Sequence, residues 1–155
     1  MADKSGKTGA AALVAALVIA ATALFVQPWE GRRHTPYYDI VGVLTVCDGH
    51  TGKDIEQRIY SDAECDAFLK ADLAIANSFV RKCITVSLTK NQETALTSAA
   101  YNIGPRVVCG STLQRKANAG QPFCAELLRW DMAGGKKVKG LTRRRQAEYK
   151  LCIGA

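Results

Sequence analysis

The hydrophobic pattern divides the chain near residue 28. From Gly9 to Val26 there is no charged side chain, and these eighteen residues include eight alanines. At about 1.5 Å per residue the run makes a helix of roughly 27 Å, enough to cross a hydrocarbon core. Alanine adds little to transfer into lipid compared with leucine or isoleucine, so insertion is expected to be weak. Ala21-Thr22-Ala23 resembles the small-x-small site of a cleaved signal peptide. Against cleavage, the apolar run continues through Leu24-Phe25-Val26, and a later cut would fall almost on Glu30. An uncleaved anchor is the expectation. Lys4 and Lys7 on one side face Arg32 and Arg33 on the other, so charge alone does not orient it.

Beyond Pro36 the pattern turns to β-branched and aromatic residues up to Cys47, then breaks at Asp48-Gly49 and Thr51-Gly52. This predicts a small hairpin or meander within residues 37–60. Helical signals follow. Ser61-Asp62-Ala63-Glu64, Thr89-Lys90-Asn91-Gln92 and Ser111-Thr112-Leu113-Gln114 each read as a capping box. Leu69, Leu73, Ala76 and Val80 keep helical spacing after the first box, and Ala95, Leu96, Ala99 and Ala100 after the second. That second helix should stop near Asn102-Ile103-Gly104-Pro105. Pro122 is placed to open a helix running to Met132 and ended by Gly134-Gly135, and Thr142 to cap a last helix through Cys152. The expected fold class is α+β: a small sheet lobe and a mainly helical lobe behind an N-terminal apolar helix. The expected division is 1–28 for the anchor and 29–155 for one compact domain.

Composition narrows the partners. The net charge is +7, and only +1 of it lies in residues 1–29, so the folded part is itself basic. A basic surface suits nucleic acid, anionic lipid or an acidic wall polymer. No zinc-finger spacing, aromatic RNA-binding signature or continuous basic helix is present, so no nucleic acid is expected. Six cysteines all lie after the apolar run, with no CxxC pair and with His34 and His50 off metal-ligand spacing. Hence no metal and no cofactor are expected, and the compartment is oxidising. The cysteines then put the folded part outside the membrane. Six cysteines allow fifteen connectivities. Helix packing suggests Cys124 with Cys152, Cys47 with Cys65, and Cys83 with Cys109.

The candidate chemistry is Glu30, Asp39 and Thr45. Two carboxylates flanking a glycosidic bond are the minimum for its hydrolysis: one donates a proton, the other stays charged and works through water. Glu30, beside Trp29 and an apolar helix, suits the neutral acid. Asp39, in a polar loop entering a strand, suits the charged partner, and Thr45 supplies a hydroxyl to hold water.

These residues, with Gly49-His50-Thr51-Gly52, resemble the catalytic signature of the phage-type lysozymes, glycoside hydrolase family 24. Ala100-Tyr101-Asn102-Ile103-Gly104, Ser111-Thr112-Leu113, Arg129-Trp130 through Lys136, and Gly140 through Arg145 with Glu148 resemble later segments of that family in order. The weakly hydrophobic uncleaved N-terminus resembles the signal-anchor-release endolysins of phages of Gram-negative hosts. The resemblance implies a lysozyme-like fold and a muramidase cutting the β-1,4 bond between N-acetylmuramic acid and N-acetylglucosamine in peptidoglycan, with inversion. It makes Glu30 the general acid, Asp39 the partner for water and Thr45 the residue that positions the water. His50 and Arg143 become candidate substrate contacts, although a structural hydrogen bond also accounts for His50. Of Arg143, Arg144 and Arg145, any could meet substrate or brace Glu30.

The implied protein is a monomer held in the host inner membrane through residues 9–26, facing the periplasm, and later released there. Some relatives place a cysteine where Asp39 stands, or carry a cysteine in the anchor that regulates the enzyme by disulfide exchange; this chain has no cysteine before Cys47. Control is then expected to be conformational, with Glu30 pinned at the bilayer edge until release. The rival readings are a lytic transglycosylase on the same bond and a non-enzymatic cationic membrane-lytic protein.

Overall fold

The computed structural model describes residues 5–155, so Lys4 of the positive flank lies outside the described residues. Helix α1 (Ser5–Val26) takes up the chargeless run, and a 3-10 turn (Gln27–Trp29) continues it. An antiparallel sheet follows, with strands β1 (Arg33–Tyr38), β2 (Leu44–Cys47) and β3 (His50–Thr51) in that order. Tyr37 lies opposite Thr45 and Val46 opposite His50. The sheet begins at Arg33, earlier than the aromatic pattern suggested, because Arg33 pairs with Cys47 across an irregularity before Tyr37. It ends at Thr51. The loop that follows is tied back by the Tyr60 N–H, which donates to the His34 carbonyl at 2.8 Å.

Four helices build the other lobe: α2 (Asp62–Cys83), α3 (Lys90–Ile103), α4 (Thr112–Asn118) and α5 (Lys139–Cys152). The capping boxes at Ser61 and Thr89 are complete. At Ser111 only half forms: its hydroxyl accepts from the Gln114 N–H at 3.0 Å, while the Gln114 side chain turns to the Gly110 N–H. Gly104 ends α3 with φ +89°, a conformation that only glycine takes without strain. Ala95, Leu96 and Ala99 are fully buried on α3, and the small alanines let α2 and α5 close on it from two sides.

Two expected elements differ. The segment after Pro122 is a 3-10 helix from Cys124 to Arg129, not an α-helix to Met132. Gly134-Gly135 forms the turn of a short hairpin, β4 (Met132–Ala133) with β5 (Lys136–Lys137). Both glycines have positive φ, which commits the chain to reverse there instead of ending a helix. In turn, α5 starts at Lys139, and Thr142 lies within its first turn rather than capping it. The Thr142 hydroxyl is drawn off to Asp131 at 2.9 Å, which fastens the hairpin to α5.

The C-terminal part of α1, from Val18, packs into the body. Val18, Thr22, Ala23 and Val26 are buried, and Ala23 and Val26 meet Leu69 and Leu73 of α2 and Tyr101 of α3. The Thr22 hydroxyl is satisfied within the helix by the Val18 carbonyl at 2.7 Å, so its burial leaves no donor unpaired. The opposite stripe, Leu13, Leu17 and Leu24, is exposed. Disulfides join Cys47 to Cys65, Cys83 to Cys109, and Cys124 to Cys152, with Cα separations of 5.1, 5.4 and 5.7 Å. By loop closure each contributes about 3 kcal/mol.

Candidate active site

Glu30 sits where the 3-10 turn ends. Its N–H bonds the Gln27 carbonyl at 3.2 Å and its backbone is already extended, so α1 delivers this residue directly to the start of the sheet. The side chain is half-buried, and its Oε1 accepts from Arg144 Nη1 at 2.7 Å. It lines a small cavity of about 190 Å3 together with Asp48, Gly49, Tyr101 and Asn102. The walls thus come from the end of α1, the turn after β2 and the last turn of α3.

Each wall residue is held. Asp48 is buried and takes a fork from Arg32, whose Nη2 and Nε reach it at 2.7 and 3.1 Å. Arg32 also spans to Asp66 and Asp62 on α2, which locks the turn onto that helix. The Asp48 hydrogen bonds, followed by those to Asp66 and Asp62, push the Arg32 guanidinium above its ordinary range despite partial burial. The Tyr101 hydroxyl donates to the Asp48 carbonyl at 2.6 Å. Burial first, and then the charge of Glu30, pushes the Tyr101 phenol up, so it remains a protonated donor.

Beneath the cavity lies a buried ionic cluster on α5. Arg145 and Glu148 have no exposed surface. Glu148 Oε1 accepts from Ser98 of α3 at 2.7 Å and from Arg145 Nη2 at 2.8 Å, while Arg145 Nε lies 2.7 Å from Oε2. Burial pushes the Glu148 carboxyl up and the Arg145 guanidinium down, each opposed by the charge of the other. Arg145 Nη2 also donates to Asn102 Oδ1 at 2.9 Å.

Asp39 and Thr45 form a second group. Asp39 Oδ1 accepts from the Val41 and Val43 N–H groups, both at 2.9 Å. Its own N–H donates to the Val43 carbonyl, and the buried Thr45 hydroxyl donates to that same carbonyl at 2.9 Å. Val43 therefore ties the two side chains into one rigid turn. The walls of the cavity include Glu30 but neither Asp39 nor Thr45.

His50 is buried, stacked on Phe68 with ring centroids 4.0 Å apart, and set between Asp72 at Nδ1 (2.9 Å) and Asp54 at Nε2 (3.2 Å). Both ring nitrogens are occupied, which makes it a bracket between β3 and α2. Arg143 is exposed on α5 and makes no hydrogen bond among the described residues. Its neighbour Arg144 is the arginine on Glu30. Arg145, Glu148, Ser98 and Asn102 were not singled out as a group from sequence. The available signal was the spacing of Arg144 and Arg145 at four and three residues before Glu148, one helical face. No group of three or more His, Cys, Asp or Glu arranged to hold a metal occurs among the described residues.

Comparison with known proteins agrees with this architecture. The family model for phage lysozyme matches residues 27–148. The SAR-endolysin of Enterobacteria phage P21 is 42% identical over 155 residues, covering 95% of this chain and 94% of its own. The muramidase domain of SpmX from Asticaccaulis excentricus superposes with a TM-score of 0.77 at 27% identity, over 86% of this chain and 95% of that one. The active form of P1 phage endolysin Lyz gives a TM-score of 0.79 at 22% identity, over 92% and 93% of the two chains, a likeness of fold. With the matched region running from the turn before Glu30 to Glu148 at the base of the ionic cluster, the chain belongs to the phage lysozyme family.

Proposed function

We propose that this protein is a phage endolysin, a muramidase that hydrolyses the β-1,4 bond between N-acetylmuramic acid and N-acetylglucosamine in peptidoglycan. The observation that carries the reading is Glu30: an acid lining a cavity, held by a buried arginine, within a chain of the phage lysozyme family. Glu30 donates its proton to the leaving oxygen. Asp39 directs water held with Thr45 to the opposite side of the sugar, which gives inversion. The Asp39 turn supports that role because one carboxylate oxygen is spent on backbone N–H groups, while Oδ2 makes no hydrogen bond among the described residues.

The anchor couples to this site through α1. With Gly9–Trp29 in lipid, Ala23 and Val26 cannot rest on α2, and Glu30 is held at the bilayer edge. Release lets that face dock. Each buried valine contributes about 1.5–3 kcal/mol, comparable with what an alanine-rich helix forgoes on leaving lipid. The protein works as a monomer on the periplasmic side, takes no nucleic acid and needs no cofactor. Glu30→Gln tests the reading: purified peptidoglycan should be cleared by the released wild-type protein and left intact by the variant. Undiminished clearing by Glu30→Gln would overturn it.

A further inference from the structure

We infer that Asn102 is a substrate-contacting residue that turns its amide N–H pair into the Glu30 cavity, fixed in that orientation by the buried relay Ser98–Glu148–Arg145. This rests on the cavity being the muramidase site and deepens that reading. The two ends of an asparagine amide look alike in shape, but their neighbours decide between them here. An arginine can only donate, so the atom 2.9 Å from Arg145 Nη2 must be the amide oxygen. The nitrogen is thereby turned away from Arg145. It makes no hydrogen bond among the described residues, and Asn102 is a half-buried wall of the cavity beside Glu30.

The orienting arginine has little freedom of its own. Its Nη2 also meets Glu148 Oε1 at 2.8 Å, its Nε lies 2.7 Å from Oε2, and Ser98 donates to Oε1 at 2.7 Å. Arg145, Glu148 and Ser98 are all fully buried. A buried ion pair is a weak source of stability against an apolar replacement but a strong way to fix geometry. What this pair fixes, at its outer end, is the Asn102 amide. The ligand chemistry that fits two preorganised N–H donors is an acceptor oxygen of the sugar, either the acetamido carbonyl or a ring hydroxyl.

Asn102→Asp removes the donor; because it also adds a negative charge beside Glu30, the uncharged Asn102→Ala is measured with it and must show the same loss. The aspartate keeps an oxygen for Arg145 and the same shape, but offers the ligand a second acceptor instead of N–H. On a soluble N-acetylated glycan the variant should lose about tenfold in kcat/KM, largely through KM, with an unchanged Tm. Arg145→Lys keeps the charge on Glu148 but cannot fork to Asn102, and should show the same rise in KM. The double variant should be no worse than Asn102→Asp alone, since both remove one contact. Should Asn102→Asp fail to fold, Asn102→Ala repeats the measurement with the Arg145–Glu148 pair intact. On N-deacetylated glycan, loss of the difference between wild type and variant assigns the donor to the acetamido carbonyl; persistence assigns it to a hydroxyl. If wild type cuts glycan and Glu30→Gln does not, yet Asn102→Asp stays within about twofold of wild type, this inference alone falls. If Glu30→Gln remains active, the reading of the whole site falls.

Discussion

Glu30 and Arg144, 114 positions apart, meet at 2.7 Å across the junction of α1 and α5. The contact links the end of the apolar helix to the last helix of the domain, so the acid is placed only when both ends of the chain are in position. Arg144 is buried while Glu30 keeps part of its side chain open to the cavity. Arg144→Met should therefore lower peptidoglycan hydrolysis by about a hundredfold by releasing Glu30. It should also cost about 2–4 kcal/mol in urea unfolding, because Arg144 Nε lies 3.4 Å from the fully buried Glu148 as well. Full activity with Glu30 unrestrained would show that Arg144 does not position the acid.

Asp39→Asn separates charge from fold. The amide oxygen can accept the same two N–H groups from Val41 and Val43, so the turn and the Tm should be preserved. The charge proposed to direct water is lost, and hydrolysis should fall by about a hundredfold or more. Product analysis belongs with this test. Reducing-end muramic acid fits hydrolysis through water, whereas an anhydro-muramic end would replace it with transglycosylation.

The two faces of α1 should respond differently. Val26 has no exposed surface, whereas Leu24 is 74% exposed. In the released protein Val26→Ala should destabilise by about 1–2 kcal/mol and reduce activity, because the docked helix carries the Glu30 turn. Leu24→Ala should leave both unchanged. Equal effects from the two would mean that helix docking does not govern the site.

Acid stability has a definite sign. Arg58 and the Ser61 N–H hold the Glu64 carboxyl at about 2, and Asp54, Asp62, Glu126 and Asp131 are also lowered, by His50, His34, Lys116 and Thr142 respectively before other causes. A carboxyl lowered on folding binds its proton more readily in the unfolded chain, so its contribution is complete above the unfolded value and is lost as pH falls. Glu148, raised by burial, works in the opposite direction. The Tm should drop as the pH is lowered from the ordinary carboxylate range toward 2, the folded-state value for Glu64. Glu64→Gln should flatten that slope. Because Glu64 is a surface group, added salt should flatten it too.

Local signals in the sequence were enough for the elements that depend on local physics. The chargeless run is helical, the boxes at Ser61 and Thr89 close as written, and α3 stops at Gly104, because caps and glycine conformations involve only a few adjacent residues. The segment after Pro122 shows where local reading stops. Pro122 suits a helix start and Gly134-Gly135 a helix stop, but the two successive positive-φ glycines make a hairpin, and a contact to Asp131 draws Thr142 away from capping.

The candidate site divides in the same way. Glu30, Asp39 and Thr45 stand close in sequence in a pattern that resembles the family's, so they can be nominated without coordinates, and of the three only Glu30 lines the cavity. The sequence by itself therefore determined the family, the α+β class and a helix long and apolar enough for a membrane. Only the tertiary structure decided that Arg144 rather than Arg143 meets Glu30, that His50 is bracketed by two aspartates, and that Arg145 bonds Asn102. Three consecutive arginines on a helix point in directions about 100° apart, and which of them is buried depends on the neighbouring helices. That information lies in the packing of α1, α3 and α5, far apart along the chain and adjacent only once it is folded.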